Sequence, residues 1–600
     1  MIRKLFQQMV ASQIVSAMAV TLCLLIDSIM IGRFLGVDAM AAYSLTNPVL
    51  LAFAAFGSLL STGIQVVCSK AMGTGDEQKI NRCFSLSIIV AVVFSLIGVA
   101  VVLIFSGQLT SLLGAEEGTE VYRLTKRYLI GFVIGAPAFV GAQILVPFLQ
   151  MSGQRVRLVT AVLTMTVVDI IADLLNVFVF KWDTLGMGLA STLSYFVAVC
   201  IGVVYFFQKK CVYKFTRKDL GNGLFKEMAM GGIPTVVNQI SLVLLVFIIN
   251  RTMLRVGEAA AVAAYSVVST VANLGYCLGN GISEVSLMLT GIFYIEEDEK
   301  NLKEIVKQQT WFAVVIDAAV MVLFLIFAGL LAKLFVFPGD TPEEILRAEQ
   351  TVSYATVGLR MFAICLIPSS INAAFKKYYQ AIGQIRFSEI LSVVQNLAFP
   401  ALVVLSLGNI FHANWGANAG TIGVWLSYVI GETLTLLFIA IYVKKKSGHK
   451  FCSLDSFACL PAGFGAAKGE SLEMVITKPE DVGAAAVAAT EFCKNKGENA
   501  KKTMYTSLCI EEMANNILEY GFKDGKNNRI DIRLVRKEND DLIIRIRDNC
   551  EGFDPVNYYE MAKPDMNDPA RHIGIRMVFK MVKDVKYVNS LGLNNLTVKI

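Results

Sequence analysis

"IDSIMIGRFLGVDAMAAYS", residues 26–44, returns in the second half of the chain as "INRTMLRVGEAAAVAAYS", residues 249–266. A second pair follows in the same order: "GLASTLSYFVAV" (188–199) is echoed by "GVWLSYVIGETL" (423–434). Each string is apolar and broken by small residues, and each falls at the corresponding helix of its half. Two halves related in this way, with a cavity near the bilayer midplane, are the usual architecture of a secondary transporter. A membrane-crossing helix needs roughly 20 mostly apolar residues. About twelve such stretches precede Lys444, near 8–32, 45–69, 84–107, 127–150, 157–180, 185–208, 231–254, 262–290, 309–336, 352–376, 387–407 and 417–443. The expected fold is therefore an all-α polytopic membrane protein of two six-helix repeats, 1–220 and 221–446, followed by a linker (447–469) and an α+β two-layer domain (470–600).

Composition agrees with that division. Of 600 residues, 55% are hydrophobic and only 17% charged, with a mean hydropathy of +0.58. Charges are sparse up to Val443 and dense from Glu470, so a soluble domain of ordinary size follows the membrane region. The net charge of +6 comes from basic residues at helix ends and gives no reason to expect nucleic acid as a partner. Twelve cysteines are scattered without a CxxC pair and there are three histidines, so neither disulfides nor a structural metal is expected. The first helix has a basic flank like a signal peptide, but its apolar stretch is too long and lacks a small-residue cleavage site, so it reads as retained. Loops "KKCVYKFTRK" (209–218), "KKYYQAIGQIR" (376–386), "VKKKSGHK" (443–450) and "SGQRVR" (152–157) lie on one side, whereas "GNIFHANWGANAG" (408–420) carries no Lys or Arg. The positive-inside rule then places the basic side, both termini and the soluble domain in the cytoplasm of a cell-membrane protein.

A carboxylate at bilayer depth is costly unless it faces a cavity, pairs or holds a proton. The first half has Asp27, Asp169 and Asp173 in apolar helix. Asp169 and Asp173 are four apart, hence on one face, and Asn176 extends that stripe. Such a cluster can take a proton or coordinate Na⁺ through hard oxygen ligands. The second half holds Glu284, Asp317 and Glu432 within apolar spans, as weaker candidates.

"LLIDSIMIGRFLG", "MGTGDEQK", "SGQ" before the fifth helix, "GGIP" opening the seventh and "YYQAIGQ" after the tenth together resemble the multidrug and toxic compound extrusion (MATE) family over residues 1 to about 445. The resemblance implies an antiporter in the lipid bilayer; a monomer is the expectation, and the sequence does not fix the oligomeric state. H⁺ or Na⁺ enters while a drug-like, cationic or amphipathic small molecule is exported. Asp27, Asp173 and Thr192 fit the family's cation-coupling residues. Asp169 stands where the family usually has Asn, which adds an acid and favours protons.

From Glu470 the pattern becomes that of a soluble α+β domain. "SLEMVI" reads as a strand, 480–496 and 501–522 as helices, 529–549 as a β-hairpin, 570–585 as a helix and the closing residues as a second hairpin, in a mixed, mostly antiparallel sheet. Glu511 and Asn515 share a helix face, Asp548 ends a strand before a tight loop with Gly552, and Gly574 sits at a helix N-terminus, where free N–H groups favour phosphate. These boxes resemble those of the GHKL ATPases, and "EEMANNILEYGF" resembles the anti-sigma-factor serine kinase branch. The resemblance implies Glu511 as general base, Asn515 as Mg²⁺ ligand, Asp548 as the adenine reader, and Gly552 and Gly574 as phosphate-loop residues for Mg·ATP. Glu512 and Asn516 offer the same spacing one residue on. Cys550 and His572 occupy usual glycine positions. No GxxxxGK[ST] occurs, so ATP is expected to regulate the transporter and not to power it. The alternative is a membrane sensor whose C-terminal domain phosphorylates an anti-sigma-antagonist-like protein on serine or threonine.

Overall fold

The computed structural model describes residues 2–208, 211–217, 220–336, 342–467, 469–522, 528–537, 541–550, 553–562 and 573–600. Eleven helices among them are long and apolar enough to cross a membrane, and a bent pair makes a twelfth span. In chain order they are α1 (Ile2–Leu35), α2 (Asp38–Thr74), α3 (Glu77–Ile104), α4 (Glu120–Val133 with Ala136–Met151), α5 (Arg155–Phe180) and α6 (Asp183–Phe207). The second half supplies α7 (Gly223–Glu258), α8 (Ala260–Ile295), α9 (Glu299–Phe335), α10 (Ile345–Ala381), α11 (Ile385–Trp415) and α12 (Ala417–Ser447).

The repeat is visible in local chemistry. The third helix of each half starts on an aspartate: Asp76 accepts the Lys79 N–H at 2.9 Å and Asp298 accepts that of Asn301 at 3.1 Å, satisfying donors that a helix start leaves open. The bend in α4 measures 49°. It falls at Ile134–Gly135, just before Pro137, which has no N–H to continue the ladder.

The halves are zipped along one side of the bundle, the side that carries the C-terminal domain. A Cβ on Gly63 of α2 would lie 2.3 Å from the Met228 carbonyl oxygen of α7, and one on Gly232 of α7 would lie 2.2 Å from that of Leu59. Only glycine permits such backbone approach. Beside it, Lys377 pairs with Glu284 at 2.9 Å, and Thr235 of α7 donates to Thr62 of α2 at 3.1 Å.

The C-terminal sheet contains β1 (Ser471–Ile476), β2 (Ile530–Arg536), β3 (Leu542–Asp548), β4 (Asp584–Ser590) and β5 (Leu593–Lys599) in the order β1-β2-β3-β5-β4. Every pairing is antiparallel, so the expected mixed sheet is a purely antiparallel one. Helices α13 (Glu480–Asn495), α14 (Ala500–Gly521), α15 (Pro555–Ala562) and α16 (Ile573–Met581) accompany it. The core joins Val482 and Ala489 of α13, Ile510 and Met513 of α14 and Val578 of α16 to Ile532, Ile544 and Ile546 of the sheet. Helix α16 is shorter than the expected 570–585, because the chain has already entered β4 at Asp584. Between the two parts, the short helix Leu454–Ala458 is held by Tyr378 and Tyr379, whose hydroxyls donate to the Ala458 and Phe457 carbonyls at 2.9 Å.

Candidate functional site

Helices α1 and α5 bring the three acids of the first half together. Asp27, Asp169 and Asp173 are 6%, 1% and 1% exposed. Asp173 lies within hydrogen-bonding reach of Asp27. The Cys23 thiol, one turn before Asp27, donates to Asp169 Oδ2 at 2.8 Å. One ligand atom from each of Cys23, Asp27 and Asp169 lies within 4.8 Å of the other two. Asp27 Oδ1, Asp169 Oδ1 and Asp173 Oδ2 are buried without a hydrogen-bond partner. Carboxyls this close, enclosed by apolar helix, repel one another when ionised, so the arrangement suits a shared proton or a bound cation.

Asp173 stands behind Cys23, Asp27 and Asp169, which lie on the wall of a cavity of about 1450 Å³ lined by α1, α2, α4, α5 and α6 with residues of α8 and α9. Its lining is mostly apolar, with Asn47, Gln143, Ser191 and Tyr195 as polar points. The cavity reaches Arg33 and Leu334, at the ends of α1 and α9 remote from the C-terminal domain.

Two residues of the expected set lie elsewhere. Asn176 accepts the Trp182 N–H at 3.1 Å and donates to the Asp183 carbonyl at 2.9 Å, clasping the turn into α6. Thr192 donates to the Gly131 carbonyl at 2.8 Å, at the bend of α4, and is not part of the cavity wall. Cys23 is a member of the cluster that the sequence does not single out among its scattered cysteines. Its spacing of four from Asp27 was the available signal.

In the second half, Glu284 belongs to the seam between the halves. Asp317 is fully buried. Glu432 accepts from Asn372 at 2.8 Å and from Gln395 at 3.1 Å, and Gln395 also accepts from Lys376 at 3.0 Å.

The C-terminal domain builds a second candidate site at the end of β3. Asp548, 4% exposed, accepts the Cys550 N–H at 2.9 Å and Asn594 Nδ2 at 2.8 Å. Burial pushes its carboxyl above the usual range, while those donors oppose the shift. The Cys550 thiol is pushed up to about 12 by burial and by the Asp548 charge, so it is a neutral wall residue. Gly574 of α16 faces Glu512, whose carboxylate oxygen would lie 1.9 Å from a Cβ there. Asn516 Nδ2 donates to the Glu512 carbonyl at 2.8 Å. Glu511 and Asn515 are exposed on the other flank of α14, where Ser507 donates to Ala486 of α13. The face turned to α16 is therefore that of Glu512 and Asn516, because one residue along a helix is a rotation of about 100°. Gly552 and His572 lie outside the described residues.

Comparison with known proteins gives a matching picture. Residues 13–175 and 234–403, more than half of the chain, match the MatE family. The chain belongs to the MatE family. Residues 475–600 match the histidine kinase-like ATPase domain, so an ATPase-like domain follows the MatE region. The multidrug export protein MepA of Staphylococcus haemolyticus (strain JCSC1435) is 25% identical over 406 residues, 67% of this chain and 84% of MepA. MepA of Staphylococcus aureus (strain bovine RF122 / ET3-1) is 24% identical over the same length, 85% of its own. A solved structure described as the outward-facing conformation of a multidrug resistance MATE family transporter has a TM-score of 0.66 at 20% identity, covering 73% of this chain and 94% of that one. It shares the fold of the MatE region. The acid cluster, Asp27, Asp169 and Asp173, lies within the matched residues.

Proposed function

We propose that the chain is an antiporter that exports drug-like, cationic or amphipathic solutes by alternating access, driven by inward movement of H⁺ or Na⁺. The observation that carries this reading is the set of buried carboxyls, Asp27, Asp169 and Asp173, with partnerless oxygens beside a large, mostly apolar cavity. The third acid and the adjoining thiol of Cys23 favour protons over Na⁺, since they replace neutral oxygen ligands. A cavity with sparse polar points accepts varied amphipathic shapes, while the acids attract positive charge. The similarity to MepA, a multidrug export protein, supports the solute class. Asp27 and Asp173 carry coupling, Asp169 shares the proton through Cys23, and Asn176 and Thr192 support the helix ends around them.

The domain side of the bundle, with its basic loops, is the cytoplasmic side. There the ATPase-like domain binds Mg·ATP and regulates transport. Asp548 reads the adenine amine, Gly574 admits phosphate at the start of α16, and the base and Mg²⁺ ligand are Glu512 and Asn516. The fit rests on the cradle between Glu512 and Gly574, which any Cβ would fill. ATP supplies a bound anion that orders the residues around it. This chain's own groups orient it, Glu512 holding a proton acceptor at the site.

The decisive experiment is export of a fluorescent cation by proteoliposomes under an imposed proton or Na⁺ gradient. Transport is expected under at least one gradient, and its loss in Asp27→Asn and Asp173→Asn with folding intact. No gradient-dependent transport by the native chain would overturn the reading.

A further inference from the structure

The sheet of the ATPase-like domain has two faces, and the face away from its own helices is not open. Strand β3 alternates: Leu542, Ile544, Ile546 and Asp548 turn to the domain core, Arg545 and Arg547 to the opposite side. Arg533 of β2 stands beside them, paired with Arg545 across the strands. These arginines meet the end of α8. Arg547 Nη2 donates to both Glu296 carboxylate oxygens at 2.9 Å, and the guanidinium lies 4.9 Å from the centre of the Phe293 ring. Arg545 donates to the Glu296 carbonyl at 2.5 Å, and Arg533 to that of Glu297 at 3.2 Å. Arg533 also pairs with Asp298 at 3.2 Å. Lys537–Glu297 and Lys300–Glu473 are further ion pairs on this border. A helix C-terminus, with its open carbonyls and partial negative charge, is a natural seat for guanidinium groups. Glu296 and Asp298 are 6% and 2% exposed, so the contact is a closed one.

The other half of the transporter is held as well. The β4–β5 hairpin presses its tip on the loop between α4 and α5. Leu591 N–H donates to the Met151 carbonyl, and Arg155 donates to the Leu591 carbonyl at 2.8 Å. A Cβ on Gly153 would lie 2.5 Å from the Gly592 Cα. Lys586 of β4 packs against Gly75 at the end of α2. One rigid sheet thus grips α8 of the second half and the α2 and α4–α5 ends of the first, beside the Gly63–Gly232 seam.

We propose that the ATPase-like domain is a clasp: by gripping both halves it holds the domain-side seam shut, and release of the clasp is what lets that side open. Its coupling to the nucleotide rests on the reading of the Asp548 site as an ATP site. Asp548 follows Arg547 directly, on the opposite face of β3. Its partner Asn594 is three residues from Leu591, at the hairpin that touches the first half. Nucleotide at Asp548 therefore bears on both grips through residues one to three positions away. An ATPase-like domain merely tethered by its linker would not require buried ion pairs to one half and close backbone contact with the other.

The test uses the full chain in proteoliposomes with the domain side outward. Release of the domain is read by a short bismaleimide cross-link between Lys300→Cys and Glu473→Cys. Opening of the seam is read by maleimide labelling of Cys83, which is buried with its thiol 3.8 Å from Met228 Sδ across the seam. Arg547→Glu and Glu296→Arg are each expected to cut cross-linking at least fivefold, raise Cys83 labelling severalfold and change the transport rate. The double variant Arg547→Glu/Glu296→Arg is expected to restore all three, which separates the effect from misfolding. Cross-linking that survives both single reversals overturns the grip. Loss of cross-linking with labelling and transport unchanged overturns the clasp. Added Mg·ATP is expected to change cross-link yield at least twofold. A chain that binds no Mg·ATP but shows the reversal effects keeps the clasp and sinks the nucleotide reading. A chain that binds Mg·ATP without a change in yield overturns the coupling.

Discussion

The seam between the halves is held by backbone contact, so a single methyl group is enough to test it. In Gly63→Ala the new Cβ would sit 2.3 Å from the Met228 carbonyl oxygen, and in Gly232→Ala 2.2 Å from that of Leu59. Neither obstacle is a side chain that could swing away. Both are main-chain carbonyls within helices, so relief requires the helices to part. Overpacking of this kind costs about 1–3 kcal/mol. At about 1.4 kcal/mol per factor of ten, each substitution shifts the equilibrium away from the closed seam by about 5- to 150-fold. The two effects share one interface and are not expected to add. Gly223→Ala is the control, since nothing lies within 4 Å of a Cβ there. The assay is maleimide labelling from the domain side, mapped by peptide mass spectrometry, with Cys83 as the native reporter of the seam. Expected labelling of Cys83 rises in both seam variants and stays at the native level in the control. A folded Gly63→Ala protein with Cys83 protected as in the control would refute the reasoning.

Four further outcomes follow from the same contacts. Thr192→Ala leaves the acid cluster untouched and removes a hydrogen bond at the α4 bend, so it is expected to lower thermal stability by about 1 kcal/mol without the loss of coupled transport expected for Asp27→Asn. Cys23→Ser keeps a donor to Asp169 and is expected to transport, whereas alkylation of Cys23 from the cavity is expected to block transport, with Cys23→Ser immune to the reagent. Glu512→Ala and Asn516→Ala are expected to weaken binding of a fluorescent Mg·ATP analogue at least tenfold, while Glu511→Ala and Asn515→Ala leave it within twofold; the reverse pattern would restore the other register. Asp541 is held at about 2 by hydrogen bonds from Lys583 and Lys599. A carboxyl lowered in the folded state adds stability above its unfolded pKa of about 3.9 and loses it as pH falls through the folded value. The melting temperature of the C-terminal domain is therefore expected to drop between about pH 4 and pH 2, with a smaller drop in Asp541→Asn.

Much of the membrane fold was legible because repeat and hydropathy act over whole helices, where single residues average out. The α4 bend hid inside one apolar stretch, since hydropathy is blind to the angle that Pro137 imposes. The site was legible where helix geometry is regular. Asp169 and Asp173, four apart in unbroken α-helix, do share a face with Asp27 opposite. Asn176 opens a π-helical turn, Asn176–Phe180, so counting on from Asp173 no longer fixes its direction, and its side chain serves the turn. Thr192 was placed by resemblance alone, and the bend of α4 claims its hydroxyl. In α14, two adjacent acids and two adjacent amides gave equal spacing in either register. Only the position of α16 distinguishes them, and that is tertiary information.

One signal in the soluble domain was readable and carries the most weight. In "LIIRIRD" (542–548) every second residue is apolar or Asp548, and arginines occupy Arg545 and Arg547 between them. A strand of period two with arginine on its second face sets those charges outside its own apolar core, where Arg547 has one neutral partner in the domain, Asn595 at 2.5 Å. Guanidinium groups on a flat sheet face call for carboxylates or helix-end carbonyls from another body. The run "YIEEDEKN" (294–301) at the end of α8 supplies both, and that is where they go. The pleat that sends Asp548 toward the domain core sends Arg547 toward Glu296. Because the two side chains are neighbours on one strand, the candidate site and the grip on the transporter share the seven residues of β3, and a shift of that strand displaces both.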